Sequence, residues 1–153
     1  MLNIGVVGYG YWGPNIVRNF NSIDSAKVVS LCDMNETALG KATKAYTGLS
    51  TTTCVDDVVS SKAIDAVAII TPVYTHFELA KKALENGKHV FIEKPFTSSA
   101  AHRIVIVQLA QSIFFDILLD AAHGTGKEKS VVNHNFQVSF FGKLKQFLRL
   151  CGR

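Results

Sequence analysis

Residues 2–20 read LNIGVVGYGYWGPNIVRNF and contain the three glycines of a G-x-G-x-x-G motif, at Gly8, Gly10 and Gly13. A short apolar run precedes the motif, and apolar side chains at helical spacing follow it. This order of strand, glycine-rich turn and helix predicts a βαβ unit that binds a nucleotide. We expect Gly8 to permit a tight turn, Gly10 to let the backbone approach a pyrophosphate closely, and Gly13 to let the helix pack against the strand.

The helix predicted over 14–22 supplies the second half of this phosphate site. Its first amides have no partner within the helix, and the positive end of its dipole faces the loop, so both favour an anion. Pro14 suits the first turn, where its missing N–H is not needed. The other loop residues, Tyr9, Tyr11 and Trp12, are predicted to contact the nucleotide, although packing at the helix start is an equally good interpretation of Trp12.

Asp33 closes a second apolar run, 27–33, and stands 20 residues after Gly13. A carboxylate at this place can accept hydrogen bonds from both ribose hydroxyls of an adenosine, and it would repel a 2′-phosphate. The sequence therefore favours NAD over NADP as the cofactor. The alternative interpretation is a turn-forming glycine cluster followed by an ordinary aspartate at the end of a strand.

Apolar runs continue to alternate with amphipathic segments as far as residue 93. Strands are predicted at 2–8, 27–33, 51–54, 65–70 and 89–93, and helices at 14–22, 35–46, 56–61 and 74–86. Runs that are apolar throughout are typical of strands buried on both faces, and helices between them connect parallel neighbours. The fold class predicted for residues 1–95 is α/β, a doubly wound parallel sheet of the NAD(P)-binding Rossmann type. In the last helix the side chains predicted to face inward are Phe77, Leu79, Ala80, Ala83 and Leu84.

Three residues near the end of the strand at 65–70 are further candidates for the site, because ligands of such sheets lie beyond the carboxyl ends of the strands. Thr71 and Pro72 follow that strand and are predicted to border the middle of the cofactor or its nicotinamide-side ribose. His76 lies in the first turn of the next helix, near the same rim. A structural role is the more common alternative for a single histidine there.

The tripeptide Glu93-Lys94-Pro95 ends the strand predicted at 89–93. A lysine at this place can donate to a cofactor ribose and to a substrate oxygen, which it would polarise or connect to a proton relay. Glu93 could orient that lysine, and Pro95 could fix the turn, in a trans or a cis peptide. The alternative is a Glu–Lys pair on the surface.

These motifs together resemble the glucose–fructose oxidoreductase / inositol dehydrogenase / MocA family over residues 1–100. The resemblance implies an N-terminal NAD(P)-binding Rossmann domain, with Lys94 as the catalytic lysine close to the nicotinamide and the substrate. It also implies hydride transfer between a ring carbon of a sugar, inositol or other polyol and nicotinamide C4. The matching stretches are GYGYWGPN at 8–15, Cys32-Asp33, Thr71-Pro72 with His76, and Glu93-Lys94-Pro95 followed by Phe96-Thr97-Ser98.

The last third of the chain departs from that family, whose members continue with a C-terminal α/β domain. That domain forms most of the sugar pocket and carries the common oligomer interface, and residues 101–153 are too few to hold it. We predict a Rossmann domain over 1–120 and an atypical basic, Phe-rich tail over 121–153 that packs on it or is partly disordered. A truncated or frame-altered gene and a short protein with a new ending both explain this tail.

Two segments after residue 100 are apolar enough to consider a membrane. Residues 104–119 are nearly uncharged but shorter than a spanning helix, so we predict a buried helix that runs into a last strand around 113–118. Residues 140–150 form a basic amphipathic pattern, which fits a membrane surface or an acidic partner and more commonly packs on its own domain.

Composition excludes several other classes of function. The net charge of +4 comes entirely from residues 101–153, where the basic residues are mixed with phenylalanines. This small and diluted positive charge argues against nucleic acid as a partner. His123 and His134 lack further ligands at zinc spacing, so no metal site is predicted. Three scattered cysteines and no secretory signal favour a reducing, cytoplasmic location. Three hypotheses remain: an NAD-dependent sugar or polyol oxidoreductase, a non-catalytic dinucleotide-binding module, and a truncated inactive fragment.

Overall fold

The computed structural model describes residues 1–106 and residue 109. Five strands form one parallel sheet in the order β3-β2-β1-β4-β5, and helices connect successive strands. The predicted α/β class and parallel sheet are confirmed, and element ends differ from the predicted ones by at most two residues. The strands are β1 (Leu2–Val7), β2 (Ala26–Cys32), β3 (Ser50–Thr52), β4 (Ala66–Ile69) and β5 (His89–Ile92). The helices are α1 (Gly13–Asn21), α2 (Glu36–Ala45), α3 (Val55–Val59) and α4 (Val73–Glu85), and residues 100–106 are also helical.

The centre of the sheet is apolar on both faces. All of β4 is buried, and so are the last four residues of β1, which pairs with β2 on one side and β4 on the other. Strand order therefore changes direction between β1 and β4. In doubly wound sheets this is where a crevice opens at the carboxyl ends of the strands.

Gly5 lets α3 pack directly on β1. A Cβ built on Gly5 would lie 2.5 Å from Val58 Cγ1 and 3.1 Å from Ile64 Cδ1. The pairing of β1 with β2 is also irregular between Ile4 and Gly5. A glycine inside an apolar strand is the sequence signal for such a close approach. The prediction treated it only as one residue of the strand at 2–8.

The buried Lys88 fastens the loop between α3 and β4. Its ammonium donates hydrogen bonds to the carbonyl oxygens of Ser61, at 2.5 Å, and Ile64, at 2.8 Å. The side chain is 9% exposed. A buried charge needs such partners, because unpaired it would lose its hydration without compensation. Lys88 thus keeps the start of β5 beside the start of β4.

The buried face of α4 includes a residue that the apolar pattern left out. Ala80, Ala83 and Leu84 are buried as predicted, whereas Phe77 and Leu79 are only partly buried. His76 occupies the remaining inward position at 1% exposure. Its spacing of four, seven and eight residues from these three places all four on one stripe of the helix. A search of the sequence for apolar side chains does not select His76 as an inward-facing residue, because its ring is polar.

Most predictions for the tail fall outside the described residues. This holds for the strand at 113–118, the basic helix at 140–150 and the boundary at 120. Of the buried helix predicted over 104–119, the described part is helical, but Ile104 is 58% exposed while Ile106 is buried. The start of that segment is therefore amphipathic and not buried throughout. Within residues 1–106 and 109, no helix has the length and apolar character needed to cross a membrane.

Candidate cofactor site

The glycine loop begins where β1 ends, and its first glycine is required by the backbone. Gly8 has φ +100°, a conformation that side-chain-bearing residues rarely adopt. A Cβ at this position would lie 2.7 Å from the carbonyl oxygen of Ile70, which follows β4. The Gly8 amide also donates to Cys32 O at 2.8 Å. Gly8 thus lets the loop leave the sheet between the ends of β2 and β4, as the motif predicts.

The second and third glycines have different surroundings. Gly10 is exposed, and a Cβ built on it would meet no atom within 4 Å, so its backbone is open to a ligand. Gly13 is buried, and its Cβ would lie 3.0 Å from Tyr9 Cδ2 and 3.1 Å from Gly8 O. This close contact with Gly8, the last residue of the strand predicted at 2–8, agrees with the packing expected of Gly13. Gly13 lets α1 start directly against the glycine loop.

The amino end of α1 has the features of an anion site. Its N-cap residue, Trp12, makes no side-chain capping hydrogen bond, and no acidic residue stands in the first turn. The first-turn amides therefore have no side-chain acceptor from the cap, and the positive end of the helix dipole follows the loop that contains the exposed Gly10. This arrangement fits a pyrophosphate, which would accept from the free amides without meeting a side chain at Gly10.

The three aromatic residues of the loop are placed differently. Tyr9 is half-buried beneath Gly13, and burial raises the pKa of its phenol, with a smaller contribution from the Tyr46 phenol. Tyr11 is 86% exposed and Trp12 is 49% exposed, and their rings form a T-shaped pair at 5.1 Å. Tyr9 is thus part of the support of the loop, whereas the Tyr11–Trp12 pair stands at its open lip.

Asp33 connects the loops that follow β1 and β2. Its Oδ2 accepts a hydrogen bond from the Tyr9 amide at 2.5 Å, and its Oδ1 accepts one from the Asn35 amide at 2.8 Å. Each carboxylate oxygen has a second lone-pair direction, so the same group can also accept from two ribose hydroxyls. The structure adds a task that the motif did not predict, because Asp33 also fixes the glycine loop.

A chain of hydroxyl groups organises the turn between β4 and α4. The Thr75 hydroxyl donates to Pro72 O at 2.8 Å and lies 2.6 Å from the Thr71 hydroxyl. Since a hydroxyl has one proton, Thr71 must be the donor in the second contact. Thr71 is half-buried and Pro72 is exposed, both beside the end of β4, as predicted. Sequence reasoning overlooked Thr75, whose signal is a hydroxyl side chain in the first turn of a helix.

His76 lies beneath this turn and not on the rim where the sequence placed it. Its Nε2 is 2.7 Å from Thr71 O, and its Nδ1 is 3.0 Å from Pro95 O. Because the ring is buried and both nitrogens face main-chain oxygens, it has no polar atom left for a cofactor. Its contacts join the loop after β4 to the loop after β5.

The end of β5 presents one carboxylate and one ammonium group. The Glu93 amide continues the sheet by donating to Ile69 O at 3.0 Å. Glu93 Oε2 is buried, and no described residue donates a hydrogen bond to it. Lys94 is exposed, forms no ion pair with Glu93 within the described residues, and precedes a cis peptide bond to Pro95. A buried carboxylate oxygen without a donor is costly, so Glu93 fits a ligand that brings a hydroxyl.

These parts fit a dinucleotide along the carboxyl edge of the sheet, and the family comparison agrees with that fit. A model of the oxidoreductase family with an NAD-binding Rossmann fold matches residues 2–113. The chain belongs to the Gfo/Idh/MocA oxidoreductase family. The resemblance stated from the motifs is therefore confirmed. Within residues 1–106 and 109, no group of three His, Cys, Asp or Glu side chains could hold a metal ion.

Proteins with different names match this chain. It is 39% identical over 99 residues to 2,7-anhydro-N-acetylneuraminate hydratase of Escherichia coli, covering 65% of this chain and 26% of that protein. It is 34% identical over 109 residues to inositol 2-dehydrogenase 1 of Saccharopolyspora erythraea, covering 69% of this chain and 32% of that one. Biliverdin reductase of Synechocystis, solved with biliverdin and NADP+, superposes with a TM-score of 0.70 at 26% identity, over 74% of this chain and 35% of that one. The chain spans about a quarter to a third of these relatives.

Proposed function

We propose that this protein binds NAD along the carboxyl edge of its sheet and serves as the cofactor half of a hydride-transfer enzyme. The observation that carries the proposal is the pairing of an open, uncapped helix terminus at α1 with the Asp33 carboxylate on the neighbouring loop. The first suits a pyrophosphate and the second a ribose diol. The family supports a dinucleotide and does not separate NAD from NADP; the Asp33 charge is our reason for choosing NAD.

Different residues of this edge would bind different parts of the cofactor. The first-turn amides of α1 and the backbone at Gly10 would hold the pyrophosphate, with Tyr11 and Trp12 at the lip of the loop. Asp33 would accept from the adenosine ribose, and Glu93 Oε2 from a second hydroxyl at the other end of the sheet edge. Thr71 and Pro72 would border the part in between. When bound, NAD supplies the acceptor or donor of the hydride.

We further propose that the substrate is a sugar-like alcohol or a polyol. Lys94 is exposed next to Glu93, so its ammonium can donate to the oxygen of the reacting carbon and hold it while that oxygen gains or loses its proton. The inositol 2-dehydrogenase relative supports a polyol substrate. The chain spans about a third or less of its relatives, so a further domain would have to complete the substrate pocket. The cytoplasm is the compartment that we propose, and the free thiols of Cys32 and Cys54 fit it.

Fluorescence titration with NADH and NADPH tests the cofactor proposal. We expect the parent chain to bind NADH more tightly than NADPH, and Asp33→Asn to reduce the difference by removing the charge that repels a 2′-phosphate. Gly10→Val should abolish binding, because its side chain would fill the space that the pyrophosphate needs. Gly40→Val is the matched control, since a Cβ at Gly40 also meets nothing within 4 Å but lies on α2. Absence of binding by the parent, or a preference for NADPH, would refute the proposal.

Turnover separates the enzyme from a binding module. NADH formation from NAD is measured with a panel of pyranoses and inositols, for the parent and for Lys94→Met. We expect any turnover to disappear in Lys94→Met while NADH binding persists in part. Binding without turnover on any sugar or polyol would favour the second candidate, a non-catalytic dinucleotide-binding module. That candidate rests on the short span of the chain relative to its relatives.

A further inference from the structure

His76 is the residue that joins the two loops at the nicotinamide end of the sheet edge. Its ring is 1% exposed, with Nε2 at 2.7 Å from Thr71 O and Nδ1 at 3.0 Å from Pro95 O. Thr71 follows β4 and Pro95 follows β5, two strands that are paired from end to end. The ring therefore crosses from the first turn of α4 to the residue that comes directly after Lys94.

Two carbonyl oxygens face one imidazole, so the position of the ring protons decides which of the two receives a hydrogen bond. A carbonyl oxygen only accepts hydrogen bonds, and a neutral imidazole has a single N–H to donate. If only Nε2 carried a proton, the Nδ1 lone pair would point at Pro95 O; if only Nδ1 carried one, the Nε2 lone pair would point at Thr71 O. The contact that holds the loop after β5 therefore requires a proton on Nδ1.

We propose that His76 is a positioning residue for Lys94, because its Nδ1–H donates to Pro95 O and thereby fixes the loop that carries the lysine. The proposal rests on the proposed function in one respect, namely that Lys94 contacts the nicotinamide and the substrate. Lys94 itself is exposed and has no ion pair within the described residues. Its backbone is held on one side by the Glu93 amide, bonded to Ile69 O, and on the other by the His76 contact.

The first test needs no cofactor. In uniformly 15N-labelled protein, long-range 1H–15N spectra of histidine rings show which ring nitrogens carry protons. We expect these spectra to show a proton on Nδ1 of His76. A His76 ring protonated on Nε2 alone would overturn the proposal, because Pro95 O would then have no donor. This result stands whether or not the protein binds NAD.

The second test uses two amide side chains that each replace one ring nitrogen. In His76→Asn the amide nitrogen is placed close to the position of Nδ1, whereas in His76→Gln it reaches the position of Nε2. We expect His76→Asn to keep the contact with Pro95 and to bind NADH like the parent. His76→Gln should keep only the contact with Thr71 and bind NADH about three- to tenfold more weakly, the range for one lost hydrogen bond. Equal NADH affinities of the two variants would overturn the proposal.

A third measurement follows the lysine directly. The rate of reductive methylation of Lys94, read by mass spectrometry in the cofactor-free protein, should change in His76→Gln and stay at the parent value in His76→Asn. Urea unfolding of both variants measures their stability separately. Were His76 merely structural, both variants would lose stability and neither would change the Lys94 rate in the folded state. If the parent fails to bind NADH, the proposed function fails, while the spectra and the methylation rates still decide the role of His76.

Discussion

Adding one methyl group should lower the stability of the protein at Gly8, whereas at Gly10 it should weaken cofactor binding and leave the stability nearly unchanged. At Gly8, alanine must adopt φ +100°, and its Cβ would lie 2.7 Å from Ile70 O, a main-chain atom that belongs to the end of the sheet. At Gly10, no atom lies within 4 Å of the same methyl group, and φ is not positive. The two positions are two residues apart in one loop, so each is the control for the other.

The size of the Gly8 effect can be worked out from these contacts. A strained backbone of this kind costs about 1–3 kcal/mol for a residue with a side chain. Relief of the close approach to Ile70 O would also disturb the hydrogen bonds from Gly8 N to Cys32 O and from Ile70 N to Val7 O, both 2.8 Å long. One weakened bond adds about 1 kcal/mol. We therefore expect Gly8→Ala to lower the free energy of unfolding by about 2–4 kcal/mol.

Urea denaturation followed by circular dichroism measures the stability, and NADH fluorescence measures binding. With a slope of about 2 kcal/mol per molar urea, Gly8→Ala should lower the midpoint by about 1–2 M. Gly10→Ala should leave the midpoint within about 0.5 kcal/mol of the parent and still weaken NADH binding. A stable Gly8→Ala would refute the geometry assigned to the turn. A Gly10→Ala that binds NADH normally would refute the close approach of the cofactor to that glycine.

Three further predictions concern groups away from the glycine loop. Lys88→Met should lower the free energy of unfolding in urea by about 1–3 kcal/mol, because two loop carbonyl oxygens lose the ammonium that donates to them. Lys82→Met is the control: it removes only an exposed ion pair and should change the free energy of unfolding by less than about 1 kcal/mol. Iodoacetamide at about pH 8 should label Cys54 and leave Cys32 unlabelled in peptide mapping, because burial is the main cause that raises the pKa of the Cys32 thiol to about 11. Fast labelling of Cys32 in the folded protein would contradict this prediction. Burial lowers the pKa of His89 below its usual 6.5, so as the pH falls the unfolded chain binds a proton at this residue before the folded protein does. The stability that His89 contributes is therefore complete above pH 6.5 and is lost as the pH falls below it. Urea midpoints measured between about pH 5 and 8 should show this slope, and His89→Gln should reduce it.

The sequence was sufficient for the sheet and for the glycine loop because both depend on local patterns. Strand and helix positions follow from apolar spacing, and Gly8 and Gly10 are explained by backbone space at a strand end. Contacts between segments that are distant in the sequence do not produce a local pattern of this kind. The hydrogen bond from the Tyr9 amide to Asp33 joins residues 24 positions apart, and the one between His76 and Pro95 joins residues 19 apart. Single-residue patterns therefore predicted cofactor contacts for Asp33 and His76 without showing that both residues hold loops.

At the carboxyl edge of the sheet, some residues hold the loops in place and others keep hydrogen-bonding capacity or space for a ligand. Both nitrogens of His76 face main-chain oxygens, whereas each carboxylate oxygen of Asp33 accepts from a main-chain amide and keeps a second lone pair for a ribose hydroxyl. The Gly10 backbone has open space around it, and Glu93 Oε2 receives no hydrogen bond from the described residues. A site arranged in this way loses little conformational freedom when a ligand binds, because its loops are fixed beforehand. Changes at His76 should then alter both the position of Lys94 and the loops themselves, whereas changes at Gly10 or Glu93 should alter binding with little effect on the fold.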